Sequence, residues 1–191
     1  MKAANSAVHD KINSETLLLL KTYGIKGWSM DTVRQKSGIA KDTLYRMVGS
    51  KEKLIQRVLL KTLSEHSERM SEALRYSETI TEALHTSAVL LVRLMDEIPP
   101  EHLQVVFLEF LSLETGINDA MNGYFNVLSG FFEAQKAASR IRRDGDISLL
   151  IGIIHAAVMA FIKHPEKYDL NSSVKTFIIY LAEGILTERG R

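Results

Sequence analysis

Cysteine is absent from the 191 residues. A disulfide framework, a thiol nucleophile and a thiolate metal site are thereby excluded. This suits a reducing compartment, and the cytoplasm is the expected location. Proline is scarce, at three residues, and no Val/Ile/Thr-rich alternating stretch of strand length occurs, so the chain reads as all-α. Long apolar runs are missing as well. The longest, Ile147–Ile162, is 16 residues, interrupted by Ser148 and His155; that is short of the roughly 20 needed to span a bilayer. Met1–Ile12 is polar and lacks the apolar core of a secretory signal.

The motifs of common enzyme sites are missing too. No His-Glu-x-x-His, phosphate-binding loop or dinucleotide-binding glycine pattern is present, and no Gly-x-Ser-x-Gly. A carboxylate-bridged metal site in a helical bundle needs Glu-x-x-His on two helices. This chain has one instance, Glu82-Ala83-Leu84-His85, on the side of its helix opposite the apolar stripe. It is read as solvated surface. No catalytic residue, metal or cofactor is expected.

What is present is an uneven distribution of charge. Net charge is only +1, yet residues 1–57 carry eleven Lys or Arg against five Asp or Glu. The remainder carries thirteen against eighteen. A basic head on an acidic body is the electrostatic signature of a DNA-binding unit joined to something else.

The periodicity predicts nine helices. Helix 1 spans about His9–Tyr23 and ends at Gly24, a residue suited to a left-handed cap. Ser29 caps a short second helix to Ser37, Gly38 turns the chain, and a third short helix covers Lys41–Val48. Ser50 caps a long fourth helix to about Arg75. Ile80, Leu84, Ser87, Ala88, Leu91, Met95 and Ile98 mark a fifth by their 3.6-residue spacing. Pro99-Pro100 opens a sixth that Gly116 is expected to break. A seventh presents Ile117, Met121, Tyr124, Phe125, Leu128, Phe131 and Phe132. Asp146 caps the apolar eighth, and Asn171–Ser173 cap a ninth running to about Glu188.

Ser29–Val48 has the form of a helix-turn-helix, two short helices joined by a glycine-containing turn, the second of which enters the major groove. Val33 and Leu44 are spaced to pack the two helices together, with Ile39 plugging the turn. Lys41, Asp42, Thr43, Tyr45 and Arg46 then face the groove. Thr43 suits a thymine methyl or a phosphate, Arg46 a guanine, Asp42 a cytosine amino group, and Tyr45 a phosphate oxygen. Lys51, at the start of helix 4, adds its charge to free backbone N–H groups, and both attract phosphate. Arg34 reads as a contact to the DNA backbone.

At these positions the sequence resembles the TetR/AcrR family of transcriptional regulators. The resemblance is carried by Gly24, Ser29, Ser37-Gly38-Ile39-Ala40, Thr43-Leu44-Tyr45 and Ser50-Lys51-Glu52-Lys53-Leu54 in order and at fixed spacing, over about residues 12–58. It departs from the family pattern at Ala40, which stands where Ser or Thr normally caps the recognition helix, at Asp42 for Gly or Pro, at Val48 for Phe, and at Arg34 for a small residue. The resemblance implies a three-helix DNA-binding domain over 1–54 and, over 55–191, a helical domain for effector binding and dimerisation, the two sharing helix 4. It also implies a homodimeric repressor, released from a palindromic operator by a small molecule.

In the body, His66, Glu109 and His155 are polar residues in apolar surroundings, read either as hydrogen-bonded core or as ligand contacts. Phe107, Phe110, Tyr124 and Phe125 read either as simple core or as the walls of a ligand pocket. Gly152, Ala156 and Ala160 make a small-residue ridge on helix 8 that lets another helix approach. Helix 9 adds Phe177, Leu181 and Ile185, and the two helices are expected to pair with their counterparts in a second subunit. Two other functions remain open: an effector-independent DNA-binding protein controlled by a protein partner, and a helical interaction domain without DNA binding.

Overall fold

The computed structural model describes residues 2–109 and 111–185; within these, nothing is described for the side chains of residues 2–5, 104, 107–109, 111–115, 118 and 185. Among the described residues nine helices follow one another: α1 (Lys2–Tyr23), α2 (Met30–Ser37), α3 (Lys41–Val48), α4 (Lys51–Tyr76), α5 (Ile80–Glu97), α6 (Pro100–Glu109), α7 (Leu111–Ala137), α8 (Ile147–Lys163) and α9 (Leu170–Ile185). No strand occurs among the described residues.

The helix ends are set by local chemistry that the sequence announces. Gly24, at φ +64°, closes α1 by donating its N–H to the Leu20 carbonyl at 2.9 Å. Ser29 and Thr32 exchange bonds in a capping box that starts α2. Gly38, at φ +71°, ends α2 through a bond to the Arg34 carbonyl. Ser50, Thr79 and Asp146 accept from the backbone N–H three residues on and start α4, α5 and α8. Pro100 opens α6, where its missing N–H costs nothing.

Three expectations are corrected. α1 begins near Lys2 rather than His9, because the polar N-terminal segment continues the helix without any breaker. α9 is capped by Asp169 and not by Asn171–Ser173: the Asp169 carboxylate accepts from Ser172 N–H at 2.9 Å, and the Ser172 hydroxyl first, then this backbone bond, hold the carboxyl below its ordinary range. The expected end near Glu188 lies outside the described residues. Finally, Gly116 does not break a helix, since α7 runs through it from Leu111 to Ala137. It faces α4, with Gln56 Nε2 and the Leu60 methyls 3.5–3.9 Å from where a Cβ would stand. Packing against α4 therefore outweighs the weak local preference of one glycine. That spacing is ordinary van der Waals contact. Gly116→Ala is accordingly expected to stabilise the protein by about 0.5–1 kcal/mol through reduced backbone entropy, seen as a higher midpoint in urea with unchanged slope.

One continuous core runs through the molecule along α4. It joins Ile12, Leu19, Val33, Leu44 and Leu54 at the N-terminal end to Leu59, Met70, Ile117 and Phe132 in the body. α4 packs on α1, α5 and α7, and α5 packs on α9. A single helix thus carries the N-terminal three-helix unit and forms part of the wall of the body.

Candidate DNA-binding surface and effector crevice

In the N-terminal unit Val33 and Leu44 are fully buried between α2 and α3, with Ile39 half-buried in the turn. This pair fixes α3 against α2 and turns the other side of α3 outward. Lys41, Asp42, Tyr45 and Arg46 are exposed there, and Thr43 is half-buried. A cleft of about 160 Å³ separates the two helices, lined by Met30, Asp31, Arg34, Lys41, Leu44 and Tyr45. Arg34 does not stand free. Its Nε donates to Asp31 Oδ1 at 2.6 Å, which holds the Asp31 carboxyl below its usual range, the hydrogen bond being the first cause. Ser29 spends its hydroxyl on the α2 cap.

Lys51 is placed differently from a free surface lysine. Its ammonium donates to the Trp28 carbonyl and lies 4.3 Å from the Trp28 ring centroid. Burial there pushes its pKa down. An ammonium has three donors, so this bond orients the charge at the α4 N-terminus and leaves donors for an anion. Sequence reasoning missed Trp28, although the only tryptophan in the chain, one residue before a capping serine, was a signal that something local holds it.

Ala40 has the extended backbone of a capping residue, φ −64° and ψ 145°, but makes no side-chain bond. The tip of the recognition helix is therefore uncapped. Ala40→Ser supplies the missing acceptor without altering backbone geometry, and is expected to raise stability by about 1 kcal/mol. Thermal or urea unfolding would check this, and no gain would mean that the tip is already satisfied.

The body holds two narrow apolar crevices. One, about 40 Å³, lies among α5, α7, α8 and α9 and is bounded by Leu84, Ser87, Phe132, Ile154, Phe177 and Leu181. The other, about 30 Å³, lies nearer the N-terminal unit and is bounded by Leu63, Leu94, Met95, Leu103, Ile117 and Ile162. Leu91, Tyr124, Phe125 and Val158 line both, so the two are one crevice divided by a shared wall. Burial pushes the Tyr124 phenol well above its ordinary pKa. A wider groove of about 230 Å³ at the α7–α8 turn, between Arg142, Asp144 and Gly184, is open to solvent and cannot enclose an apolar ligand.

The sequence-derived ligand candidates separate accordingly. Tyr124 and Phe125 form the shared wall. His155 is half-buried behind it, its ring 4.7 Å from that of Phe125. His66 is buried at 1% exposure, outside the crevice lining. Its Nε2 stands 3.2 Å from Glu97 Oε2, with Arg69 3.8 Å from the other carboxylate oxygen, and its Nδ1 is buried without a partner. The side chains of Phe107 and Glu109, and Phe110 altogether, lie outside the described residues. Glu82 and His85 are exposed, and no group of His, Asp or Glu able to hold a metal ion occurs among the described residues.

The residues picked for pairing two subunits also divide. Gly152 and Ala156 are exposed and Ala160 half-buried on α8. Phe177 and Leu181 instead turn into the crevice of their own chain, because the α9 stripe they belong to packs on α5. The apolar residues that remain outside are Leu149 (63% exposed) and Ile153 (47%) on α8, and Ile179 (54%) and Tyr180 (68%) on α9. The side chain of Ile185 lies outside what is described. No described helix is long and apolar enough to cross a membrane.

A helix-turn-helix head is carried on a helical body with narrow apolar crevices. No family model matches the chain. The fatty acid metabolism regulator protein of Bacillus subtilis (strain 168) is 23% identical over 163 residues, covering 80% of this chain and 82% of the relative. The structure of the transcriptional regulator FadR from Bacillus subtilis in complex with stearoyl-CoA superposes with a TM-score of 0.71 at 20% identity, over 91% of this chain and 97% of that one. A TetR-family regulator from Rhodococcus sp. superposes with a TM-score of 0.77 at 13% identity, over 95% and 100%. The chain has the fold of the TetR-family transcriptional regulators.

Proposed function

We propose that the protein is a ligand-responsive transcriptional regulator that binds DNA through α3 as a homodimer, and that it acts as a repressor released by a small molecule. The observation that carries this reading is the exposed face of α3, held outward by the buried Val33–Leu44 pair inside the matching frame from Gly24 to Leu54. Lys41, Thr43, Tyr45 and Arg46 supply groove and phosphate contacts, Asp42 a cytosine contact, and Lys51 a phosphate contact from its seat on Trp28. Arg34 shares its charge with Asp31 and adds less to backbone attraction, while Ser29 serves DNA binding by capping α2 in place. Two-fold symmetry puts two recognition helices about one turn of DNA apart, roughly 34–36 Å, on a palindromic site.

The effector reading is supported by the divided crevice. Its lining is almost wholly apolar, so the buried part of the effector is hydrocarbon. The crevice as it stands holds no more than a few waters, and a ligand must part the Tyr124–Phe125 wall. A long acyl chain, as in the stearoyl-CoA seen in Bacillus subtilis FadR, matches the apolar character of that lining. Dimerisation is assigned to the exposed apolar face of α8 and α9.

The DNA assignment is tested with Tyr45→Phe combined with Lys51→Ala. Affinity for any duplex is expected to fall, and the slope of log K against log salt to drop by about one for the lost cation. Fluorescence anisotropy across a salt series measures both, and unchanged affinity and slope would reject the assignment.

A further inference from the structure

The only tryptophan of the chain sits where the N-terminal unit meets the body. Gly24 is buried in a left-handed conformation, and the His102 ring lies directly against it, with Nδ1 2.9 Å from where a Cβ would stand. Close by, Lys21 at the end of α1 is bonded to Asp96 at the end of α5, at 2.7 Å. From Gly24 the contacts continue inward to the DNA side. Its carbonyl accepts the Trp28 indole N–H at 2.8 Å, and the Trp28 carbonyl and ring hold Lys51. On the body side, Leu103 follows His102 and Met95 precedes Asp96, and both line the crevice.

We propose that His102 is a positioning residue that carries the state of the effector crevice to Lys51, by a route separate from any tilt of α4. This rests on the reading that the crevice takes an effector. Leu103 and His102 are consecutive on α6, so a ligand that presses on Leu103 displaces the ring from Gly24. Gly24 has no side chain, and the ring is what fills the space above its backbone. Losing that contact frees the α1–α2 turn, whose carbonyl holds the Trp28 indole. Trp28 then shifts, and Lys51 with it, because one residue supplies both the carbonyl and the ring on which the ammonium rests. The lysine loses its fixed place at the α4 N-terminus, and phosphate binding weakens.

The 191-residue chain reports this directly, because Trp28 is its only indole. Stearoyl-CoA is the probe. In the wild type, its binding measured by calorimetry should be accompanied by a change in Trp28 emission and by a 5- to 150-fold loss of affinity for a mixed-sequence duplex at low salt. In His102→Ala the calorimetric affinity should persist, while the emission change disappears and the ratio of DNA affinities moves toward one. His102→Phe, which keeps a ring against Gly24, should retain both responses. A His102→Ala protein whose emission and DNA affinity respond to stearoyl-CoA as the wild type does overturns the proposal. If stearoyl-CoA gives no heat with the wild type, the effector reading fails, and the coupling is judged on Leu103→Ala instead. That substitution should shift Trp28 emission when His102 is present and leave it unmoved in His102→Ala; equal shifts in both backgrounds overturn the proposal.

Discussion

Ile153→Asp is expected to turn the protein into a monomer and to weaken its binding to DNA by about 10²- to 10⁴-fold, the gain that linking two binding modules provides. Ile153 lies with Leu149, Gly152 and Ala156 on the outward side of α8, and among the described residues nothing beyond the neighbouring backbone of α8 and the two residues flanking Gly152 comes within 4 Å of where a Cβ on Gly152 would stand. Ile179 and Tyr180 of α9 extend the same bare apolar character. Exposed apolar area of this kind marks an interaction surface, and a small-residue ridge lets a second helix approach it closely. A carboxylate at its centre would be buried unpaired in each subunit of a symmetric pair. The folded monomer would tolerate the change, since a substitution at an exposed site usually moves stability by no more than about 0.5 kcal/mol. Sedimentation velocity and DNA anisotropy on the same variant separate the two consequences. A dimer that survives Ile153→Asp places the subunit contact elsewhere on the body.

Phe132→Ala is expected to cost about 3–5 kcal/mol of stability, the range for deleting a buried aromatic ring. Phe132 is fully buried, meets Phe131 edge to face at 5.7 Å between centroids and walls the crevice. For a chain of this size that loss corresponds to a fall in melting temperature of roughly 6–20 °C. The cavity left behind would open into the crevice, so the variant should also recover part of the loss on binding a small apolar molecule such as benzene. Calorimetric melting with and without benzene measures both. A loss below about 1 kcal/mol would show that α7 repacks, the crevice being softer than its close lining indicates.

The helix-turn-helix unit was legible because its determinants are local. Ser29 and Ser50 cap the helices that follow them, Gly24 and Gly38 adopt the left-handed turns, and Val33 and Leu44 are spaced one helix apart to meet. The departures at the tip of α3 were equally legible, and Ala40 indeed leaves that helix without a side-chain cap. The body was harder to read, because a helix that is apolar on two sides does not say which side meets which neighbour. Phe177 and Leu181 face inward, while Ile179 and Tyr180 of the same helix face out. Gly116 looked like a punctuation mark and proved to be a helical residue facing α4.

What the amino-acid order determined by itself is therefore the all-helical course of the chain, the residues that cap most of its helices and the face of α3 that stays exposed. Interactions within three or four residues, and a pattern of burial repeated on every turn, are enough to set these. The tertiary structure alone decided the divided crevice, the inward turn of Phe177 and Leu181, the seat of Lys51 on Trp28 and the ring of His102 on Gly24. Each of these joins residues from separate parts of the chain, and periodicity within one helix carries no information about the distance to another segment.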